Sequence, residues 1–280
     1  IKEACDISRE ADIVIVVGGL NKAKNQDCEG HDRKSLGLPY NQDKLISELT
    51  KVNKNIVFVN ISGNAVSMPW LRDVPAVLQA WYLGTEAGNA IASILFGDVN
   101  PSGKLPFTFP AKLEDVGAHK LGDYPGIDKE QTYRESIYVG YRWTDKEKIT
   151  PLFCFGHGLS YTTFEYGKIR ADRKEITKND KITFTVSVKN TGSRDGAEVV
   201  QLYISDKKSS LPRPMKELKG FSKVYLKAGE SKDVSITIDK TALSYFDDKI
   251  HEWIAESGDF EALIGSSSND IKGKMKFTLK

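Results

Sequence analysis

The sequence predicts an α/β parallel-sheet sandwich domain followed by an all-β sandwich. Three observations carry that reading. The early hydrophobic runs are continuous and end in glycine, as in "DIVIVVGG" and "NIVFVNISG". The late runs alternate strictly with polar residues, as in "ITFTVSV" and "DVSITI". Between the two lies a stretch with neither period, dense in proline, glycine and aromatics. Strands apolar on both faces belong to parallel sheets covered by helices, whereas period-two strands keep one face in water.

The bulk composition agrees with a globular chain of two domains. It has 280 residues, of which 40% are hydrophobic and 28% charged. A formal charge of +2 offers no concentrated basic face, so no nucleic-acid partner is expected. No apolar run reaches the roughly 18 residues of a spanning helix. The three cysteines, Cys5, Cys28 and Cys154, are odd in number and far apart, and form no disulfide framework.

In chain order, Asp12–Gly19 reads as a first strand and Asn55–Gly63 as a second. Between them Leu45, Ile46, Leu49 and Val52 share a helical face, with Asn41 as N-cap after Pro39. Ala76–Gly84 reads as a third strand. Thr85 then caps a helix with Ala87, Ile91, Ile94 and Leu95 on one face and Gly97 at its stop. This order implies right-handed crossovers. The α/β domain is assigned to residues 1–110 and an extended, aromatic-pinned connector packing on it to 111–163. Residues 164–280 form the β-sandwich, with Ile182, Phe184, Val186 and Val188, then Val234, Ile236 and Ile238, then Met275, Phe277 and Leu279 facing inward. Lacking a Cys-Trp-Cys spacing, this last domain is immunoglobulin-like only in the broad fibronectin type III sense. Trp253 is expected in its core. Trp70, Trp81 and Trp143 are assigned to core or domain contacts, and His157 to a hydrogen-bonded connector position.

Chemistry concentrates in "NQDCEGHDR", where Asp27, Cys28, Glu29, His31, Asp32 and Arg33 fall within seven positions. The glycines of "VVGGLNK" lack the spacing of a phosphate loop, and no helix starts behind them. Cys28 and His31 supply at most one pair of the three or four ligands a zinc site needs, so no metal is assigned. As a nucleophilic dyad they lack a visible orienting group or oxyanion hole. That leaves a carboxylate for acid/base work, Glu29, before a glycine that lets the backbone turn, or else a solvated acidic loop.

The residues decide between these two through a resemblance. "EGHDRKSLGLPYNQDKLI" resembles the E-G-x-D-R…L-x-L-P…Q…L-I motif of family 3 glycoside hydrolases, the β-glucosidase and β-xylosidase family. "PAVLQAWYLGTEAGNAIASILFGDVNPSGKLPFTFP", "YRESIYVGYRWTD" and "PLFCFGHGLSYTTFEY" are similar to that family's second domain and its exit. "VSVKNTGSRDGAEVVQLYISD" and "RPMKELKGFSKVYLKAGES" are similar to its fibronectin type III-like third domain. The resemblance spans nearly the whole chain. It implies a retaining exo-β-glycosidase acting on a β-glucoside or oligosaccharide, with no cofactor. Glu29 is then the general acid/base, Asp32 and Arg33 support its loop, and the nucleophile is an aspartate on an N-terminal (β/α)8 barrel. A periplasmic or secreted location is the family expectation. Cys28 stands where relatives have a small residue, and Cys154 where proline is usual. Beginning at Ile1, with no barrel motif in sight, the chain is expected to be a fragment or the mature part of a processed protein. Its α/β domain is therefore expected to be N-terminally incomplete, with an unpaired edge and exposed apolar surface. The alternative expectation is a non-catalytic carbohydrate-binding or interaction module.

Overall fold

The computed structural model describes residues 1–280. By their contacts these residues form two compact units, Ile1–Phe96 with Phe109–Asp115, and Gly97–Thr108 with Val116–Lys280.

The first unit runs α1 (Lys2–Arg9), β1 (Val14–Gly19), α2 (Gln42–Val52), β2 (Ile56–Ile61), β3 (Ala76–Gln79) and α3 (Ala87–Leu95). The three strands form a parallel sheet in the order β1-β2-β3, with Val14 opposite Ile56 and Val57 opposite Ala76. The central strand β2 is the most buried, and its Phe58 packs edge-on against Trp70 at 4.8 Å. Ile46 and Leu49 of α2 join this core. Asn41 does hold the position before α2, but in a left-handed conformation and without a side-chain cap. The third strand ends earlier than its hydrophobicity implies. Trp81 at φ 56° and Gly84 at φ 75° turn the chain out of the sheet, and Glu86 rather than Thr85 holds the cap position of α3.

One face of β1 is bare. Ile13, Ile15 and Val17 are 61%, 49% and 61% exposed, and no residue of α3 is buried. Both faces of this strand read as covered from its sequence. Here the run is apolar on both faces but only one is packed, because nothing in these residues lies over the other.

The second unit adds the short helices α4 (Gly117–Lys120) and α5 (Tyr141–Glu147) and then β4 (Phe164–Tyr166), β5 (Arg170–Ala171), β6 (Glu175–Ile176) and β7 (Ile182–Asn190). There follow β8 (Gly196–Asp206), β9 (Glu217–Leu226), β10 (Ser231–Ile238), α6 (Lys240–Leu243), β11 (Tyr245–Asp247), β12 (Glu252–Ile254), β13 (Gly258–Ser267) and β14 (Asp270–Leu279). One sheet has the order β10-β7-β4, with β5 also on β7, and the other the order β6-β14-β13-β8-β9. Between them lie the inward residues of the alternating runs, including Phe184, Val186, Ile236, Leu202, Ile264 and Phe277. Phe277 sits edge-on to Phe184 at 5.3 Å and stacks on Phe260 at 5.6 Å. Trp253 departs from expectation. It is 70% exposed on β12, edge-on to Phe246 at 5.8 Å. The β11–β12 ladder is a separate two-stranded sheet, so Trp253 lies outside the sandwich core.

Connector residues in this unit are tied to the sandwich. The Tyr141 hydroxyl accepts from the Leu218 amide at 2.9 Å, and its ring stacks on Phe155 at 4.9 Å. Lys216 Nζ meets Asp145 at 2.5 Å. His157 is held through its backbone, its carbonyl accepting from Leu105 at 2.8 Å, with its ring stacked on Phe153. Burial, then the charge of Lys104, lowers its imidazole pKa. The "RPMKELKG" stretch builds a mostly buried charge network. Arg213 donates to Glu217 at 2.8 Å and to the Leu243 carbonyl at 3.0 Å, and lies 3.4 Å from Asp206. Arg142 reaches the same Glu217 at 2.9 Å.

Two outcomes follow. Amide hydrogen exchange of the 280-residue chain should be faster across β1 and α3 than across β7, β8 and β13, since local stability tracks buried apolar contact. Uniform protection would contradict the bare-face reading. Burial alone would raise Glu217, but the Arg213 hydrogen bond and the Lys219, Arg213 and Arg142 charges hold it below the 4.5 of a free glutamate. The folded state therefore binds that proton less readily than the unfolded chain. Its stabilisation is present above pH 4.5 and is lost as pH falls through the native value. In urea titrations Glu217→Gln should lose stability at neutral pH and show a shallower further loss on acidification than the parent chain.

Candidate active site

Three segments leave the carboxyl ends of the parallel strands of the first unit: residues 20–41 after β1, 62–65 after β2 and 80–86 after β3. In open α/β sheets the crevice at this end is where ligands bind. The local sequence builds this end closely. Gly19 lies at φ 134°, and a Cβ there would come within 2.0 Å of the Ile61 carbonyl oxygen, so only glycine lets β1 end against β2. Gln42, the first residue of α2, then grips that end. Its Oε1 accepts from Gly19 N at 2.7 Å, while its Nε2 donates to Gly19 O at 2.9 Å and Pro39 O at 3.0 Å. Asp43 accepts from Leu38 N at 2.9 Å and from Trp70 Nε1 at 2.8 Å, closing the far end of the loop on the core.

Glu29 is exposed near the tip of the first loop. Cys28 and His31 pair across it as an isolated antiparallel bridge, with Cys28 Sγ donating to the His31 carbonyl at 3.6 Å. Gly30 turns between them at φ 80° with open space on its Cβ side. Asp32 is exposed and Arg33 half-buried.

The bonds that hold this tip belong to the neighbours of Glu29. Asp27 Oδ2 accepts from the Gly63 amide at 2.6 Å and from the Tyr82 hydroxyl at 2.8 Å, and Asn64 Nδ2 approaches Oδ1 at 3.4 Å. One carboxylate thus ties all three segments together. Arg33 Nη2 donates to the Ala65 carbonyl at 2.6 Å, on the same second segment. Its other terminal nitrogen, Nη1, is buried without a hydrogen-bond partner. Burial lowers the Arg33 pKa, against the opposing charge of Asp27. Burial, then the hydrogen bond to Asp27, pushes the Tyr82 phenol up to about 12, so Tyr82 stays a donor over the physiological range. Beneath the second segment, the buried Asn60 donates to Ser62 Oγ at 2.9 Å and to Gln79 Oε1 at 2.6 Å. Ser62 Oγ in turn donates to the Asn64 carbonyl at 2.8 Å. Trp70 is buried, and Trp81 lies edge-on to Phe109 at 6.3 Å.

Sequence reasoning placed Asp27 among the charges of the loop and did not mark it as the anchor. It missed Tyr82 altogether. The two are 55 positions apart, and no local pattern links them. The signal available was indirect: a carboxylate two residues before Glu29 that needs donors, facing a loop that offers amides.

The chain has close relatives of known family. Residues 1–161 match the model of the glycosyl hydrolase family 3 C-terminal domain, and residues 198–268 match that of the fibronectin type III-like domain. The chain belongs to glycosyl hydrolase family 3. It is 52% identical over 277 residues to "Beta-glucosidase BoGH3A" of Bacteroides ovatus, covering 98% of this chain and 37% of that protein. It is 47% identical over 271 residues to "Thermostable beta-glucosidase B" of Acetivibrio thermocellus, covering 97% of this chain and 35% of that one. The crystal structure of β-glucosidase from Kluyveromyces marxianus in complex with glucose superposes with a TM-score of 0.92 at 41% identity, over 100% of this chain and 33% of that one. The chain thus spans about a third of the length of these relatives.

Removing the anchor should loosen the loop without unfolding the sheet. Asp27→Ala strands the Gly63 amide and the Tyr82 hydroxyl and should cost the loop about 1–3 kcal/mol. It should be read as faster limited proteolysis within residues 25–36 at an unchanged circular dichroism spectrum. Tyr82→Phe removes one donor only and should show a smaller increase. Equal cleavage rates for all three chains would contradict the anchoring role.

Proposed function

We propose that this chain is the C-terminal part of a retaining exo-β-glycosidase, a β-glucosidase in the first instance, to which it contributes the general acid/base Glu29. The observation that carries the reading is an exposed carboxylate on a turn that is itself pinned on both sides, by Asp27 and by Arg33. The names of the relatives supply the sugar class: each is a β-glucosidase.

In this proposal Glu29 protonates the glycosidic oxygen as the aglycone leaves. It then takes a proton from the water that releases the sugar from an aspartate. That aspartate lies on an N-terminal (β/α)8 barrel, outside these 280 residues. A retaining pair stands about 5–5.5 Å apart, so the loop carrying Glu29 must close over the barrel mouth. The turn at Gly30, with nothing within 4 Å of its Cβ side, leaves room for that approach. In this proposal Asp32 and Arg33 hold the loop backbone, Arg33 through the Ala65 carbonyl at 2.6 Å.

The test is made in the complete enzyme that includes this chain. Glu29→Ala should lower kcat by about 10²–10⁴ on substrates whose leaving group needs protonation. The loss should be much smaller on activated aryl glycosides, and added azide should restore turnover as a glycosyl azide. Unchanged turnover would reject the assignment, and so would turnover by the 280-residue chain alone.

A further inference from the structure

Outside the Glu29 loop, the second unit carries a cleft of about 440 Å³. It lies between the stretch Gly97–Asn100, the β7–β8 turn at Arg194–Asp195, and Tyr225 on β9. Its walls are cross-tied. Asn100 Nδ2 donates to the Asp195 carbonyl at 2.9 Å, and Asn100 Oδ1 accepts from Ser160 Oγ at 2.9 Å and Tyr161 N at 2.8 Å. Asp195 Oδ1 accepts from Ala228 N at 2.9 Å. Buried Asn190 fixes the turn below, donating to the Arg194 carbonyl at 2.7 Å and the Leu226 carbonyl at 3.2 Å. Gly97, at φ 82°, lets the Arg194 guanidinium lie against the backbone, since a Cβ there would stand 2.8 Å from Nη1.

With the walls satisfied in this way, three groups in the cleft remain for a ligand: the Asp98 carboxylate, the Arg194 guanidinium and the Tyr225 ring. Asp98 and Arg194 both line the cleft. The surface continues along β9, where Phe221, Lys223 and Tyr225 all face outward. Phe221 and Tyr225 are 68% and 58% exposed, and four residues of strand place them about 13 Å apart. The two carboxylates, Asp98 and Asp195, balance the two cations, Arg194 and Lys223, and Lys232, which donates to the Tyr225 carbonyl at 2.9 Å, is paired with Glu230 at 3.0 Å. The surface therefore offers donors, acceptors and apolar ring faces without net charge. An anionic polymer or a membrane surface would want an excess of cations. A neutral polyhydroxylated chain with apolar C–H faces matches it instead, because rings stack on the C–H face while carboxylate and guanidinium bond the hydroxyls.

We propose that this cleft and the β9 stripe form an accessory site for a neutral β-linked gluco-oligosaccharide, separate from the Glu29 loop. The sugar class rests on the functional reading above, and the site does not take part in bond cleavage. It holds an oligosaccharide at the surface of the sandwich unit, with Tyr225 and Phe221 as stacking faces and Asp98 and Arg194 as the polar contacts.

The test is isothermal titration of the full 280-residue chain with cellotetraose and, separately, laminaritetraose. The parent chain should bind at least one of them. Tyr225→Ala and Asp98→Ala should each weaken Kd by about tenfold or more, while Tyr225→Phe should stay near the parent value. Glu29→Gln should leave Kd unchanged, so a wrong acid/base assignment does not disturb this readout. Asp98 is exposed on a loop, which keeps the test valid if Tyr225→Ala fails to fold. No binding of either sugar by the parent chain overturns the proposal. So does binding that survives both alanine substitutions. If the same substitutions abolish self-association in sedimentation and leave sugar binding intact, the cleft is an interface between copies, and the proposal is again overturned.

Discussion

Acid–base chemistry needs a carboxylate held to within about 0.5 Å, which a loop achieves only if its backbone is pinned. In this chain the pin is Asp27. Its two oxygens receive the Gly63 amide, the Tyr82 hydroxyl and the Asn64 amide group, so segments after three different strands meet on one side chain. Arg33 repeats the attachment six residues later through Ala65. Glu29 lies between the two attachments and is left exposed. The arrangement separates the residues that hold position from the carboxylate left exposed. The Glu29 carboxylate therefore stands in solvent on a backbone held from both sides.

The pin works because the sheet end beneath it is rigid. Gly19 allows β1 to finish against the Ile61 carbonyl, and Gln42 bonds both backbone groups of that glycine. The buried set of Asn60, Ser62 and Gln79 holds the next segment from below. Polar groups buried in this way are costly unless paired, and the bonds donated by Asn60 Nδ2 and Gln79 Nε2 tie this segment to β2 and β3. The opposite flank contrasts with it. The outward face of β1 carries Ile15 and Val17, and Ile13 just before it, into solvent, an apolar surface of the kind that other chain normally covers.

The sandwich is organised by a different balance. Its core is the ordinary product of alternating strands, with Phe184, Phe260 and Phe277 in mutual contact. Its rim depends on charge. Arg213 bridges Glu217 and the Leu243 carbonyl and lies beside Asp206, while Arg142 and Lys216 reach the sandwich rim and connector carboxylates. Removing one member of such a network leaves an uncompensated charge, which costs more than the intact pair contributes. The motif "RPMKELKG" therefore reads as connector docking rather than chemistry.

Much of this was legible in order of residues alone. Continuous β-branched runs ending in glycine announced parallel strands, and strict alternation announced the sandwich, because side-chain period follows directly from backbone geometry. The E-G-x-D-R match singled out Glu29 among six ionisable neighbours. Other features were not local and so were not legible. Trp253 looked like a core residue because tryptophan is mostly apolar. It is exposed because its hairpin belongs to neither sheet. The length of β3 was overread because a positive φ at Trp81 leaves no mark in hydrophobicity. The sequence by itself determined which segments are strands and which carboxylate stands on a turn. Only the tertiary structure decided that Asp27 and Tyr82 meet across 55 positions and that one face of β1 has no cover. The reason is physical: periodicity encodes what a segment presents, while pairing and burial depend on which other segments arrive to meet it.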